Sequence, residues 1–253
     1  MTTKDINNYQ STARYFDKAI KEIAKLDNPN KIKILDFGCG GGNLSQCLNE
    51  LGYDVYGCDV YSTCARKPEI NLQKIRVIEK SPYRFPFDDN SFDIIVSTSV
   101  LEHAQNTEEI FQETRRVLKP NGYAMHMYPS KWYLPTEPHI NIPLVNYLWP
   151  SCPKWWLTFW HYIGIRAEIQ KNKEWKEVVE HNYKYCNESL CYISNSEYKR
   201  LSKKIFDNYS APMDFYIQHA HGNAANLARK LPFKKLIGFL IGEFRMNFIV
   251  MKK

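Results

Sequence analysis

A glycine-rich turn flanked by two acidic residues is the strongest chemical signal in the sequence. Asp36 precedes Gly38 and Gly40 in the run ILDFGCGGGN at 34–43, and Asp59 comes 21 residues after Gly38. Glycine lets the backbone approach a ligand without a Cβ clash, and a helix that starts after such a turn presents free N–H groups. An acid at the end of the next strand can accept both hydroxyls of a ribose. The pattern therefore predicts a ligand that contains a nucleoside.

The spacing of the turn argues against a dinucleotide. A dinucleotide fingerprint needs a small residue three positions after its second glycine so that the helix can pack beside the pyrophosphate, and this chain has Asn43 there. An acid at Asp36 suits a ligand with a cationic amino group and suits a pyrophosphate poorly. We therefore expect S-adenosyl-L-methionine as the cofactor and S-adenosyl-L-homocysteine as its product.

Methyl transfer to a hydroxyl also needs a group that takes the proton. Glu137 and His139 are two residues apart in PTEPH, so they lie on one side of the chain if the segment is extended. They could form a base, a pair of metal ligands or a polar surface loop. Because no third ligand is evident, no metal is predicted. His103 is a second candidate, as a base or as a structural residue, and Glu102 beside it is interpreted as a helix-start charge.

Strands and helices that alternate along the chain must position these residues. Apolar runs predict strands at 33–37, 55–60, 75–79, 92–97, 123–127 and 246–251, and helices at 7–26, 43–51, 108–118 and 196–206. This order predicts an α/β fold with a Rossmann-like, doubly wound, mostly parallel sheet of about seven strands. A Trp-rich insertion, interpreted as a lid, follows the fifth strand.

The chain resembles the class I S-adenosylmethionine-dependent methyltransferases, in particular the small-molecule branch that includes the ubiquinone and menaquinone enzymes. The resemblance is carried by four segments in the family's order and spacing: ILDFGCGGGNLS (34–45), VYGCDV (55–60), RFPFDDNSFDIIVSTSVLEHAQN (84–106) and ETRRVLKPNGY (113–123). It implies that Asp36, Gly38 and Gly40 hold the methionine end of the cofactor.

The same resemblance assigns the rest of the cofactor site. It implies that Asp59 binds the ribose and that Val60 covers one face of the adenine. Where the family usually places an acid for the adenine amino group, this chain has Ser81. Ser97 on the fourth predicted strand is also assigned to the cofactor site.

Charge and aromatic residues divide the chain near residue 130. Residues 1–129 contain 16 Lys and Arg against 17 Asp and Glu, whereas residues 130–253 contain 18 against 10, and all six tryptophans lie between Trp132 and Trp175. We therefore expect a cofactor-binding core at 1–129, an aromatic substrate-binding insertion at 130–195, and C-terminal helices with a closing strand at 196–253. The tryptophans at 155, 156 and 160 are read as the core of the insertion or as surfaces for a substrate ring.

The basic second half could face an anionic small molecule, a nucleic acid or a membrane. Nucleic-acid amino methyltransferases usually grip an extruded base with Asn/Asp-Pro-Pro-aromatic after the fourth strand, and this chain has STSV at 97–100. A nucleic-acid partner is therefore not favoured, nor is membrane contact through 231–253, which we expect to be a packed helix and a strand.

The sequence thus predicts methyl transfer to a small molecule, most simply to the hydroxyl of a sugar or of a glycan or secondary-metabolite precursor. The alternatives are a nucleic-acid methyltransferase and an inactive methyltransferase-like binding subunit. Seven cysteines without a CxxC pair and a polar start favour a cytoplasmic location. The sequence does not predict the oligomeric state.

Overall fold

A computed structural model describes residues 3–60, 74–80, 82–221 and 223–253. Its strands are Lys33–Phe37 (β1), Asp54–Asp59 (β2), Ile75–Val77 (β3), Glu79–Lys80 (β4), Tyr83–Arg84 (β5), Phe92–Thr98 (β6), Leu118–Pro129 (β7), Asn208–Ser210 (β8) and Met246–Lys252 (β9). Its α-helices are Thr3–Ala19 (α1), Asn43–Glu50 (α2), Thr107–Val117 (α3), Val145–Leu148 (α4), Lys154–Tyr162 (α5), Trp175–Glu188 (α6), Asn195–Ile205 (α7), Met213–His219 (α8), Asn223–Lys230 (α9) and Lys234–Phe244 (α10). A π-helical turn, Ile20–Ala24, extends α1, and short 3₁₀ turns lie at Pro29–Lys31, Leu101–His103 and Glu168–Gln170.

Seven of these strands form one sheet in the order β3-β2-β1-β6-β7-β9-β8. The pairs from β3 to β7 are parallel, whereas β9 runs antiparallel to both β7 and β8. The strands β4 and β5 form a separate antiparallel pair. The predicted Rossmann-like, mostly parallel sheet of about seven strands is confirmed.

The central strands are apolar because both faces of the sheet are covered. On one face, Phe111 of α3 and Leu201 of α7 pack against β6 and β7. On the other face, Phe16 of α1 and Leu48 of α2 pack against β1. Helix α3 starts where the Asn106 side chain accepts the Glu109 N–H, which is a typical N-cap.

The strand β7 is longer than the sequence predicted. We expected a turn at 119–122 and a strand at 123–127, but the strand begins at Leu118, directly after α3, and runs to Pro129. Leu118 pairs with Phe92, and the register then shifts before Ile94 pairs with Tyr123. Residues 119–122 therefore form an irregular part of the strand, where the register with β6 shifts.

The insertion after β7 has an apolar core of its own. Ile142, Val145 and Leu157 are fully buried in it, and four tryptophans pack against it: Trp149, Trp156, Trp160 and Trp175. Trp155, which shares the helical spacing of Trp156 and Trp160, is 67 % exposed. The core interpretation therefore fits the other two rings of that helix, while the role of the insertion as a lid stays a prediction.

The C-terminal residues form a helix and a strand. Helix α10 precedes β9, and β9 lies between β7 and β8 with its middle residues buried. Within the described ranges, no helix combines the length and the apolar character needed to span a bilayer.

Candidate functional site

Three neighbouring strands bring the predicted site residues to one edge of the sheet. Strand β6 pairs in parallel with both β1 and β7, so the carboxyl ends of the three strands lie side by side. The glycine turn follows β1, the turn at 101–103 follows β6, and the segment with Glu137 and His139 follows β7. Ligands of open α/β sheets bind in the crevice outside such carboxyl ends.

The glycine turn is strained for any residue with a side chain and is closely packed. Gly38, Gly40 and Gly42 have φ values of +72°, +53° and +79°, a region that L-residues rarely adopt. A Cβ on Gly38 would lie 2.2 Å from the Val100 side chain. The turn therefore packs directly against the segment that leads into Glu102 and His103.

The Asp59 carboxylate is tied to the glycine turn. It accepts the Gly40 N–H at 2.7 Å and the Val60 N–H at 2.6 Å. These two bonds fix the acid in place. An acid held in this way beside the turn fits the predicted ribose contact.

Asp36 lies beneath the turn with 2 % of its surface exposed, and it accepts the Ser45 hydroxyl at 2.7 Å. Burial raises the pKa of this carboxyl to about 7, although the bond from Ser45 acts in the opposite direction. A cationic group nearby would favour its charged form. A glycine cradle with one buried acid and one tethered acid fits S-adenosylmethionine, and the individual contacts stay predictions.

The remaining predicted cofactor residues lie in different surroundings. Ser97 is fully buried, and its hydroxyl is 2.7 Å from Nδ1 of His126 inside the sheet. The Val60 side chain is half-buried and packs against the core, whereas Ser81 lies outside the described residues.

Glu137 and His139 form the hydrogen-bonded pair that the sequence offered as one possibility. The Glu137 carboxylate is fully buried and lies 2.7 Å from Nδ1 of His139. It also accepts the N–H groups of His139 and Ile140 at 2.7 and 2.9 Å and the Tyr192 hydroxyl at 2.9 Å. Burial would raise the pKa of Glu137, but the bonds from His139, Ile140 and Tyr192 outweigh it and hold the pKa below its usual value.

His139 reaches from this pair towards Glu102. Its Nε2 lies 3.7 Å from Oε1 of Glu102. Burial by itself would lower the pKa of His139, but the Glu137 hydrogen bond and the charges of Glu137 and Glu102 raise it above its usual value. The ring is therefore held by one acid and directed at a second.

Glu102 is the residue whose role the sequence interpretation missed. It was read as a helix-start charge, yet its side chain is fully buried at the turn after β6. Burial raises the pKa of its carboxyl to about 8, although the charge of His139 acts against this. Within the ranges that the structure describes, neither carboxylate oxygen has a hydrogen-bond partner. A buried carboxylate without donors is costly, so this position is a candidate for a functional role.

His103 completes the cluster. Its Nδ1 lies 2.9 Å from the Ser189 carbonyl oxygen, just after α6, and its ring centroid is 5.2 Å from that of His139. Tyr185 of α6 packs near both rings, at 6.0 and 5.9 Å between centroids. Tyr185 and Tyr192 carried no motif, so nothing in the sequence pointed to them.

Comparison with known proteins finds a methyltransferase domain in this chain. Residues 35–126 match the methyltransferase domain family, and they include the glycine turn described above. In this part the chain is similar to the class I S-adenosylmethionine-dependent methyltransferases. The match covers Asp36, Asp59, Glu102 and His103, and it ends before Glu137 and His139.

The curated relatives described here match less than half of this chain. A ubiquinone biosynthesis O-methyltransferase from Pelagibacter ubique is 32 % identical over 111 residues, which is 40 % of this chain and 44 % of that protein. Phosphoethanolamine N-methyltransferase 2 from Caenorhabditis elegans is 30 % identical over 40 % of this chain and 24 % of its own length. The chain thus spans less than half the length of these relatives.

Solved structures agree with the fold over nearly the whole methyltransferase chain. The PH0226 protein from Pyrococcus horikoshii superposes with a TM-score of 0.53 at 16 % identity, over 98 % of this chain and 93 % of that one. An S-adenosylmethionine-dependent methyltransferase from Mesorhizobium loti superposes with a TM-score of 0.51 at 15 % identity, over 94 % of this chain and 98 % of that one. At these identities the likeness describes the fold alone.

Proposed function

We propose that this chain transfers the methyl group of S-adenosylmethionine to a hydroxyl of a small molecule, with a sugar or a glycan or secondary-metabolite precursor as the acceptor class. The observation that carries the proposal is the Glu137–His139 pair directed at the buried Glu102, beside the glycine turn. Such a cluster suits a hydroxyl acceptor, because a neutral hydroxyl is a much weaker nucleophile than a neutral amine and gains more from losing its proton to a base.

Some residues of the chain align the cofactor with the acceptor, and others remove the proton from the acceptor hydroxyl. The glycine turn, Asp36 and Asp59 hold the cofactor so that acceptor and methyl group meet in line, and alignment of this kind removes several kcal/mol of barrier. S-adenosylmethionine supplies the methyl group, and its S–C bond breaks as the acceptor oxygen bonds to the methyl carbon. His139 takes the hydroxyl proton at Nε2, while Glu137 holds the ring through Nδ1 and stabilises the imidazolium that forms.

Support for a ring-shaped acceptor comes from the aromatic side of the cluster. Tyr185 lies 5.9 Å from the His139 ring, and an aromatic face beside the proton acceptor suits a sugar or a planar ring. The relatives do not distinguish a hydroxyl acceptor from an amine, because they include enzymes named for O-methylation and enzymes named for N-methylation.

The test is transfer of a labelled methyl group from S-adenosylmethionine to two acceptor panels. One panel contains sugars, nucleotide sugars and phenols, and the other contains amines such as phosphoethanolamine and dimethylglycine. We expect label on the hydroxyl panel and its loss in His139→Ala. Transfer to the amines alone would contradict the hydroxyl assignment, and failure to bind S-adenosylhomocysteine at all would contradict the enzyme assignment.

A further inference from the structure

We propose that Glu102, His103 and His139 form a binding site for a divalent transition-metal ion. One ligand atom of each residue lies within 4.8 Å of the ligand atoms of the other two. The inference rests on the proposed function and deepens it, because it names how the acceptor hydroxyl is held and activated.

Both imidazole rings are oriented as metal ligands usually are. Nδ1 of His139 is engaged by the Glu137 carboxylate at 2.7 Å, and Nδ1 of His103 by the Ser189 carbonyl oxygen at 2.9 Å. Since both partners are acceptors, each Nδ1 can donate to its partner, and Nε2 is then the atom through which the neutral ring would coordinate an ion. A histidine that donates one ring N–H to a carboxylate or a carbonyl and offers the other nitrogen is the usual arrangement around a bound metal.

Glu102 gives a second, independent reason to expect a cation. Its carboxylate is fully buried, and neither oxygen is hydrogen-bonded within the described part of the chain. Its backbone is fixed, because the Cys191 N–H donates to the Glu102 carbonyl oxygen at 2.6 Å. His139 is 3.7 Å away, beyond hydrogen-bond distance, and a metal ion would supply the direct contacts that the two oxygens do not make.

The ligand set favours a Zn²⁺-like ion over Mg²⁺. Two imidazoles and one carboxylate are a common set for Zn²⁺ and related ions and leave a coordination position open, whereas Mg²⁺ prefers oxygen ligands. With metal–ligand bonds near 2.1 Å, ligand atoms of a tetrahedral site lie roughly 3.4 Å apart. The His139–Glu102 separation of 3.7 Å is already close to this, and the other separations do not exceed 4.8 Å.

A bound ion changes which group handles the proton. The Nε2 atom of His139 then holds the ion, and the acceptor hydroxyl occupies the open position. A bound divalent ion lowers the pKa of such a hydroxyl, so its proton passes to solvent before the oxygen attacks. Glu137 still holds the His139 ring through Nδ1, and in this case it orients a metal ligand.

Zn²⁺ binding to the protein tests the site directly. We would treat the protein with a chelator and measure bound Zn²⁺ by equilibrium dialysis, with Mg²⁺ in a parallel experiment. Wild type should bind a Zn²⁺ ion that is lost in Glu102→Gln, His103→Ala and His139→Ala, and Mg²⁺ should not compete for it. Glu137→Gln should weaken binding by about 10–100-fold, the usual effect of losing such a partner. His181→Ala, which alters an exposed histidine of α6, is the matched control, and circular dichroism identifies any variant that fails to fold.

The outcomes separate this inference from the proposed function. Equal Zn²⁺ binding by wild type and by folded variants of all three residues would overturn the metal site, because the ion would then sit elsewhere, for example on cysteines. Full hydroxyl methylation by chelated protein would also overturn it while leaving the proposed function intact. Zn²⁺ binding that depends on the three residues, without methylation of any hydroxyl, would support the site and contradict the proposed function.

Discussion

Nδ1 of His139 lies 2.7 Å from Oε1 of Glu137, although only Pro138 separates the two residues in the chain. The segment forms a turn held by the Glu137 side chain, because the same carboxylate also accepts the backbone N–H groups of His139 and Ile140. Glu137 therefore fixes both the backbone and the ring of His139, and the ring's other nitrogen is directed at Glu102.

Replacement of His139 should affect turnover and spare cofactor binding. His139→Ala removes the proton acceptor or metal ligand, so turnover should fall by about a hundredfold or more. The affinity for S-adenosylhomocysteine, measured by calorimetry, should be unchanged, because the glycine turn and Asp59 are untouched.

His103→Ala separates the two mechanisms at this cluster. If His139 acts without an ion, His103→Ala should leave most of the activity, whereas a shared metal predicts a loss as large as that of His139→Ala. Turnover of both variants should be measured before and after chelation. Wild-type turnover in His139→Ala would contradict both mechanisms.

Asp59→Ala should weaken cofactor binding by about tenfold or more, since a lost hydrogen bond to a charged group costs about 1.5–3 kcal/mol. The Kd for S-adenosylhomocysteine is the measurement. Asp54→Ala is the matched control, because Asp54 lies on the same strand and pairs with Lys74 on the surface. An unchanged Kd in Asp59→Ala would mean that the ribose binds elsewhere.

Gly38→Ala should destabilise the protein more than Gly164→Ala does. Both positions have positive φ, so both variants carry a backbone cost of about 1–2 kcal/mol. A Cβ at Gly38 would also collide with Val100 at 2.2 Å, whereas a Cβ at Gly164 meets nothing within 4 Å. Thermal unfolding of the two variants tests this, and equal Tm values would show that the turn is not tightly packed.

Cofactor affinity should fall as the pH drops below about 7. Burial raises the pKa of Asp36 to about 7, so in the free protein this acid is increasingly protonated below that pH. A ligand with a cationic amino group favours the charged acid, and the proton must then leave on binding. The Kd should therefore rise by up to about tenfold per pH unit below the pKa. In Asp36→Asn we expect weaker cofactor binding and a Kd that does not change with pH over this range. A Kd that still rises as the pH falls would assign the pH dependence to another group.

Removal of residues 245–253 should yield unfolded or insoluble protein. The strand β9 pairs with both β7 and β8, and Phe248, Ile249 and Met251 are fully buried. Loss of one buried phenylalanine side chain alone costs about 3–5 kcal/mol. Circular dichroism and solubility are the readouts. A truncated protein that stays folded and active but no longer pellets with anionic vesicles would support membrane contact instead.

Much of the fold and the conformation of the glycine turn could be predicted because their signals are local. Apolar runs mark the buried parallel strands, and the glycine turn with Asp36 lies within one strand–turn–helix unit. The position of Asp59 could be predicted from the next strand alone, because the residue lies at the end of β2. Such features depend on backbone conformation and on neighbours close in sequence, so residue type and spacing determine them.

Only the tertiary structure decided what Glu102 does. In the sequence it is an acid near the start of a turn, and residue type alone makes a surface charge the natural interpretation. Its burial depends on strand order, which places β6 beside β7 and so brings the turn at 101–103 to His139. It depends also on the insertion, which brings Ser189 to His103 and Tyr192 to Glu137. These partners are far apart in the chain, and the desolvation that gives Glu102 its unusual chemistry arises only when they pack around it.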